Sequence, residues 1–426
     1  MVTKNNSPSR SPSDLRRVHR SIVLRGIFSG EARSRTQLAE LTGLSGMAIT
    51  RIIRELIQVD LVEEGGKRDR DGNPGRRSTD LQIQPSAAYV VGLVISAFGH
   101  ELTLADATGR SLTHRKLVFD DVRSPEKTIQ AASNAITSLI DELGIDKNLI
   151  LGIGVAIAAT VESTTGTVVQ SHFLGWHQVK LGSEISRITG YPVIVDSIAN
   201  ALNIAEQSIG KVRGYEDVFL VHNSTACGAS FTHKGNLLRG ANNSVGQIGH
   251  LYAGKGSLIC SCGASGCLDT HASGWAVLVG LGLLQSKYYQ PADVEMHARA
   301  LSKLISEESP RGSEEYEAIF KAGWHMGQAL RNIVLIVDPQ AIVLTGELPK
   351  SPAFEAGCRE AWEQSPLVLP GHEPKIFTGS VLPLQSAAFL ALDYFLYSPR
   401  FNIERMLAVA GQSGAQNREQ HTSRNG

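Results

Sequence analysis

The part of this 426-residue sequence best equipped for chemistry is a histidine followed, after nine intervening residues, by three clustered cysteines. The segment reads His250-LYAGKGSLI-Cys260-Ser261-Cys262-GASG-Cys267. One imidazole and three thiolates are the ligand set of a closed tetrahedral zinc site, and soft thiolates select zinc in a reducing compartment. The glycines between them let the chain wrap one ion. Four protein ligands leave no open coordination position, so a structural rather than a catalytic metal is expected. As three unliganded core cysteines the segment fits poorly, because Cys262-Gly263 and Ser265-Gly266 have loop composition. Cys227 and Cys358 stand alone and read as packing residues. Five cysteines in so long a chain do not make a disulfide framework.

A second set of residues suits a polyanion. The formal net charge of the chain is +0, yet residues 1–85 carry +5 and the remainder −5. A basic head on an acidic body is the asymmetry of a nucleic-acid-binding module joined to something else. The head predicts three helices. Leu15, Val18, Ile22, Leu24, Ile27 and Phe28 mark an apolar stripe on the first. Ser34, with Gln37 three residues on, opens a second helix over Arg35 to Thr42. Ser45 caps a third, which turns Ile49, Ile52, Ile53, Leu56 and Ile57 inward. Small Ala39, Gly43 at the turn and Ile49 have the spacing of a helix-turn-helix. Two short alternating strands around GGKRDRDGNPGRRS then form a β-ribbon wing. Ser45, Thr50, Arg51 and Arg54 are expected on the exposed face of the recognition helix, toward the major groove of double-stranded operator DNA. Arg68, Arg70, Arg76 and Arg77 on the wing are expected to neutralise phosphates. Alone, those four would read as a solvated charge run; beside a helix-turn-helix they do not.

Of the 426 residues, 42% are apolar and 19% charged, which excludes a collagen-like or globally disordered chain. No apolar run is long enough to span a membrane. The first residues lack the apolar stretch of a signal peptide, so a cytoplasmic protein is expected. Residues 1–13 and 411–426 are polar and read as disordered ends. From Ala88 onward, apolar runs such as YVVGLVI, LILGIGVAIA, YPVIV, VFLVH and AIVLTG alternate with helical segments, which indicates α/β architecture. Gln84-Pro85-Ser86 lies between head and body.

The string GQIGH, nine residues, then CSCGASGCLD resembles the ROK family (repressors, open reading frames, kinases). Further stretches resemble it with matching order and spacing: GIGVAIAATVESTTGTVVQSHFLGW, YPVIVDSIANALNIAE, NLLRGANNSVGQIGH and DPQAIVLTGEL. The leading helix-turn-helix is similar to the family's repressor branch, the regulators of N-acetylglucosamine and xylose use. The resemblance implies an α/β fold in which an N-terminal winged helix-turn-helix (14–84) joins a two-lobed, actin-like ATPase body like that of ROK sugar kinases. The first lobe is expected over 88–199, completed by about 380–398, and the second over 200–379 with the zinc loop.

Kinase chemistry needs a phosphate cradle and a base on the sugar hydroxyl. Where the kinases have DxGGTK, this chain has Val94, Ile95, Ser96, Ala97, Phe98 and Gly99. Their GTGxGxG becomes Ser224-Thr225-Ala226-Cys227-Gly228-Ala229-Ser230, and their C-terminal GGG becomes Thr345-Gly346-Glu347. A backbone cradle depends on those glycines, so no ATP is expected. The aspartate base of the END motif is Ile198, whose side chain accepts no proton. No catalytic residue is therefore assigned. The sugar-pocket positions hold His172, Ser197, Gln247, His250 and Asp269, a set shifted from carboxylate clamping toward neutral hydrogen bonding.

The expected function is a transcriptional regulator, a repressor in this branch, acting as a homodimer or tetramer on sugar uptake or catabolism genes. Its operator affinity would respond to a sugar or sugar derivative. Two rivals remain: a regulator whose input is a protein partner, and a sugar kinase with an accessory DNA-binding head.

Overall fold

The computed structural model describes residues 11–68, 78–172, 174–285, 294–307, 309–364 and 373–407. Its head comprises α1 (Pro12–Ser29), α2 (Arg35–Thr42) and α3 (Gly46–Gln58), followed by an antiparallel ribbon of β1 (Val62–Arg68) and β2 (Ser78–Ile83). Each helix starts on a serine. The Ser11, Ser34 and Ser45 side chains accept from the amides of Asp14, Gln37 and Ala48. Gly30 and Gly43 end α1 and α2 in the left-handed conformation, where a glycine costs least. Ile49, Ile53 and Leu56 of α3 are fully buried. The stripe on α1 differs from the sequence expectation. Val23, Leu24 and Ile27 face inward, whereas Leu15 and Ile22 stay exposed. The buried face is set by what α1 packs against, namely α2, α3 and the body, and sequence spacing alone does not contain that.

The body contains two five-stranded sheets of matching topology. In the first, β3 (Tyr89–Ser96), β4 (Gly99–Asp106) and β5 (Arg115–Leu117) form an antiparallel meander. After α4 (Pro125–Leu143), β6 (Ile150–Ile157) runs parallel to β3. A small sheet of β7 (Thr160–Glu162), β8 (Thr167–Ser171) and β9 (Trp176–Val179) and then α5 (Leu181–Thr189) precede β10 (Val193–Ser197), parallel to β6. The helix α6 (Ile198–Ser208) leads to the second sheet. There β11 (Val218–Asn223), β12 (Cys227–His233) and β13 (Asn236–Leu237) repeat the meander. After the cysteine loop come α7 (Asp269–Ala272), α8 (Gly274–Gly280), α9 (Val294–Ser306) and α10 (Glu314–Val337). Then β14 (Ala341–Thr345), α11 (Pro352–Glu363) and β15 (Lys375–Thr378) complete a sheet in which β11, β14 and β15 are parallel. The sheet orders β10-β6-β3-β4-β5 and β15-β14-β11-β12-β13 are the same pattern. No sequence repeat announces this duplication.

The last helix, α12 (Pro383–Phe395), returns to the first sheet. It lies almost on the strands. A Cβ on Gly92 would come within 2.7 Å of the Ala388 backbone, and one on Gly154 within 2.2 Å of the Ala387 carbonyl. The head docks on the same helix. Phe28 packs at 4.6 Å from the Tyr397 ring and 5.8 Å from Phe389. Arg25 pairs with Asp393 at 2.7 Å, and the Arg213 guanidinium donates to the Ser29 carbonyl. The Gln84–Ser86 segment is tied on both sides. The Gln84 amide donates to Leu61 and the Ala107 amide to Pro85. Among the described residues, no helix is long and apolar enough to cross a membrane.

Candidate metal centre and ligand cleft

The cysteine loop folds back on itself through short bridges, Tyr252 with Cys267 and Ile259 with Ser265. Gly254, Gly263 and Gly266 take positive φ at its turns. As a result the ligand atoms of His250, Cys260, Cys262 and Cys267 all lie within 4.8 Å of one another. The Cys260 Sγ is 3.4 Å from His250 Nδ1, and the Cys262 and Cys267 sulfurs are 3.6 Å apart. A tetrahedral ion with bonds of about 2.3 Å to sulfur and 2.0 Å to nitrogen has ligand–ligand edges of about 3.5 to 3.8 Å. The donor chemistry and spacing therefore fit a divalent metal. Burial, reinforced by the neighbouring Cys262 and Cys260 thiols, pushes the Cys267 thiol up to about 12. A cation at the centre reverses that by stabilising the thiolates. Cys227 and Cys358 are buried around the second sheet and form no disulfide.

His250 also faces the cleft between the lobes, a cavity of about 260 Å³. His172, Ser197, Gln247, His250 and Asp269 all line it, together with Phe98, Ile198 and Asn200. His172 meets His250 edge-on at 6.1 Å, and burial, with His250 beside it, lowers its pKa. The Asp269 Oδ1 accepts from the Cys227 amide at 2.7 Å, and burial raises its pKa above the usual carboxylate range. The Gln247 amide donates to Thr160 at 2.9 Å across the cleft. Ser197 is the N-cap of α6 and accepts from the Asn200 amide at 3.2 Å. Ile198 is buried, with its side chain in the core shared with Leu202 and Ala205.

The wall of the same cleft that carries Ser224 to Ala229 holds a hydrogen-bond network that the sequence reading missed. His222 Nδ1 lies 3.2 Å from the Thr345 hydroxyl, and its Nε2 lies 3.5 Å from Ser224 Oγ. The Glu347 amide donates to that same Ser224 oxygen at 3.2 Å, and Thr345 donates to the Val221 carbonyl. Burial, aided by Lys350, lowers the His222 pKa to about 4, so the ring is neutral near pH 7. Next to Ser197 in the chain, Asp196 of the first lobe is fully buried and pairs at 2.6 Å with Arg239 from the second. Its other oxygen accepts from the Ser197 amide at 2.8 Å and from Asn200 Nδ2 at 2.7 Å. A charged residue ending the apolar run YPVIV was the one available sequence signal for this pair.

In the head, Ser45, Arg51 and Arg54 are exposed and Thr50 is half-buried. Arg51 makes an i,i+4 pair with Glu55 at 3.4 Å, and Arg20 reaches Glu55 at 3.3 Å. Arg68 is the last residue of β1, while Arg70, Arg76 and Arg77 lie outside the described residues.

A model of the ROK family matches residues 91–377. The chain is 25% identical over 336 residues to a protein named xylose repressor from Caldicellulosiruptor bescii, covering 78% of this chain and 83% of the relative. It is 27% identical over 341 residues to the DNA-binding transcriptional dual regulator NagC of Escherichia coli K12, covering 76% and 80%. Among solved structures it superposes on a ROK family transcriptional regulator, a homolog of the E. coli MLC protein. The TM-score is 0.74 at 21% identity, with 93% of this chain and all of that chain covered. The family model covers two thirds of the sequence and reaches across both sheets of the body: the chain belongs to the ROK family.

Proposed function

We propose that the chain is a transcriptional regulator that binds operator DNA through its head and senses a sugar-type effector in the interlobe cleft. Relatives named xylose repressor and DNA-binding transcriptional dual regulator support the regulatory role. The observation that carries the reading is a combination. An exposed Arg51 and Arg54 stripe on a capped helix is joined to a body whose cleft is lined by His172, Ser197, Gln247, His250 and Asp269 and carries Ile198 where a base is expected. In this reading residues 14–84 are the DNA-binding domain, 88–199 with about 380–398 the first lobe, and 200–379 the second. Ser45, Thr50, Arg51 and Arg54 face the groove, and Arg68, Arg70, Arg76 and Arg77 face phosphates.

The cavity of about 260 Å³ lies near the lower end of small-molecule sites, suiting one sugar ring rather than an oligosaccharide. His172, Ser197, Gln247, His250 and Asp269 supply the hydrogen bonds. Zinc is the ion assigned to the centre. It would hold His250 by Nδ1 and so fix the ring's orientation toward the cleft. Catalysis is no part of this reading, because Ile198 offers no atom to take a proton. The effector acts by favouring one lobe arrangement over another, which requires unequal affinity for the two. The protein works in the cytoplasm as a homodimer or higher assembly, reading half-sites spaced by whole helical turns.

Selection of random duplexes by the purified full chain tests the DNA-binding role, with enrichment of a defined sequence expected. A thermal-shift panel of sugars and sugar derivatives tests the cleft, and at least one should raise Tm. A coupled ADP assay with the same panel should stay at background. Sugar-dependent ADP formation overturns the non-catalytic reading, and a pool with no enriched duplex overturns the regulatory one.

A further inference from the structure

The first turn of α3 presents an unexpected chemistry to solvent. Met47 is 84% exposed and lies directly after Gly46 at the helix N-terminus. Counting along the helix, Met47, Arg51, Arg54 and Gln58 recur at three- and four-residue steps and share one face. Ile49, Ile53 and Leu56 lie buried on the other side, which fixes the rotation of that face. Met47 thus belongs to the same solvent-facing stripe as Arg51 and Arg54.

The polar residues of that turn are already engaged. Ser45 Oγ accepts from the Ala48 amide at 3.3 Å, as the helix cap requires. The Thr50 hydroxyl donates to the Gly46 carbonyl at 2.8 Å, one turn back along the same helix. Gly46 has no side chain, and a Cβ there would meet nothing within 4 Å. Before Arg51, then, the long side chain that projects from the face is an unbranched thioether with no hydrogen-bond donor. Such a group is flexible and polarizable and suits an apolar contact of adjustable shape. In the major groove, the apolar group on a base edge is the C5 methyl of thymine.

We infer that Met47 is a specificity-determining residue that reads a thymine methyl group in the operator. The inference rests on the DNA-binding reading above. Arg51 and Arg54, further along the stripe, take hydrogen-bond acceptors or phosphates. The base pair opposite the first turn is recognised by apolar contact instead.

The test begins with the duplex selected by the full-length protein. Each thymidine in it is replaced singly by deoxyuridine, which deletes the methyl group and keeps every hydrogen-bonding atom. Affinity is read by fluorescence anisotropy at one fixed salt concentration. For the wild type, one replacement per half-site should weaken binding about fourfold, the effect of withdrawing one buried methyl group. In Met47→Ala that difference should vanish, while Met47→Leu keeps most of it. Met47→Ala should melt at the wild-type temperature, since the side chain is 84% exposed. Tight binding with no sensitive thymidine overturns the inference and leaves the DNA-binding reading standing. Equal sensitivity in the wild type and Met47→Ala does the same. Failure to select any duplex removes the reading, and the inference with it.

Discussion

Replacing Arg239 by methionine keeps most of its aliphatic length and deletes the charge that faces Asp196. The carboxylate left behind is fully buried and retains two donors, the Ser197 amide and Asn200 Nδ2. Removing one partner of a buried ion pair costs about 3–5 kcal/mol. The Arg239 side chain is 29% exposed, so the pair is partly hydrated and the lower figure, about 3 kcal/mol, applies. The converse change, Asp196→Asn, leaves a partly exposed guanidinium that can turn toward solvent. It sacrifices one charge-assisted hydrogen bond, worth about 1.5 kcal/mol. The double variant should cost less than the sum of the two, with a coupling of at least about 1 kcal/mol. Urea unfolding followed by tryptophan fluorescence measures this. Trp176, Trp275, Trp324 and Trp362 all lie in the body, so the signal reports the lobes rather than the head. Should Arg239→Met fall within about 0.5 kcal/mol of the wild type, or should the double variant equal the sum, the pair does not hold the lobes together.

Purified protein should carry about one zinc per chain by elemental analysis, and Cys260→Ala should lose it together with several degrees of Tm; a metal-free wild type of equal Tm would refute the assignment. Phe28→Ala should loosen the head from α12 at a cost of about 2–3 kcal/mol, because the ring is only partly buried. Faster limited proteolysis around residues 84–88 would report this, and an unchanged rate would refute it. His222 and His325 are both held near pKa 4, chiefly by burial. The unfolded chain therefore binds more protons than the native one between about pH 4 and 6.5, and stability contributed by these groups is lost as pH falls through that window. Unfolding midpoints should drop from pH 6.5 to 4.5, with a smaller drop in His222→Asn; an equal drop in both would deny His222 its part.

Motif spacing marked the His250, Cys260, Cys262 and Cys267 cluster, because groups that could share one ion must lie close in a short loop or far apart on rigid elements. Here they are local. The helix boundaries of α2 and α3 were equally legible, since Ser34, Gly43 and Ser45 act on their immediate neighbours. The cleft residues were found through a resemblance rather than by spacing: His172 and Asp269 are 97 positions apart, and only the fold brings them together. Long-range pairing was not legible at all. Nothing local links Asp196 to Arg239, or His222 to Thr345, because each pair joins strands or loops from separate parts of the chain. Met47 escaped notice for the opposite reason. A search for polar base readers passes over a methionine, and the engagement of the Ser45 and Thr50 hydroxyls appears only in the geometry.

The docking of α12 on Gly92 and Gly154 sets an order of events during synthesis. The strands β3, β4 and β6 leave the ribosome early, but the helix that covers one face of their sheet is encoded from Pro383 onward. About 280 residues separate the end of β4 from α12, which corresponds to roughly 15 to 55 s of translation. Throughout that interval the nascent first lobe has an open apolar face, and Phe28 of the head lacks the surface on which it rests. A truncated chain ending before residue 383 would therefore carry the three-helix head without the α12 surface on which Phe28 and Arg25 rest. The fold thus ties the docking of the head to synthesis of α12, so that the contact between head and first lobe is among the last to form.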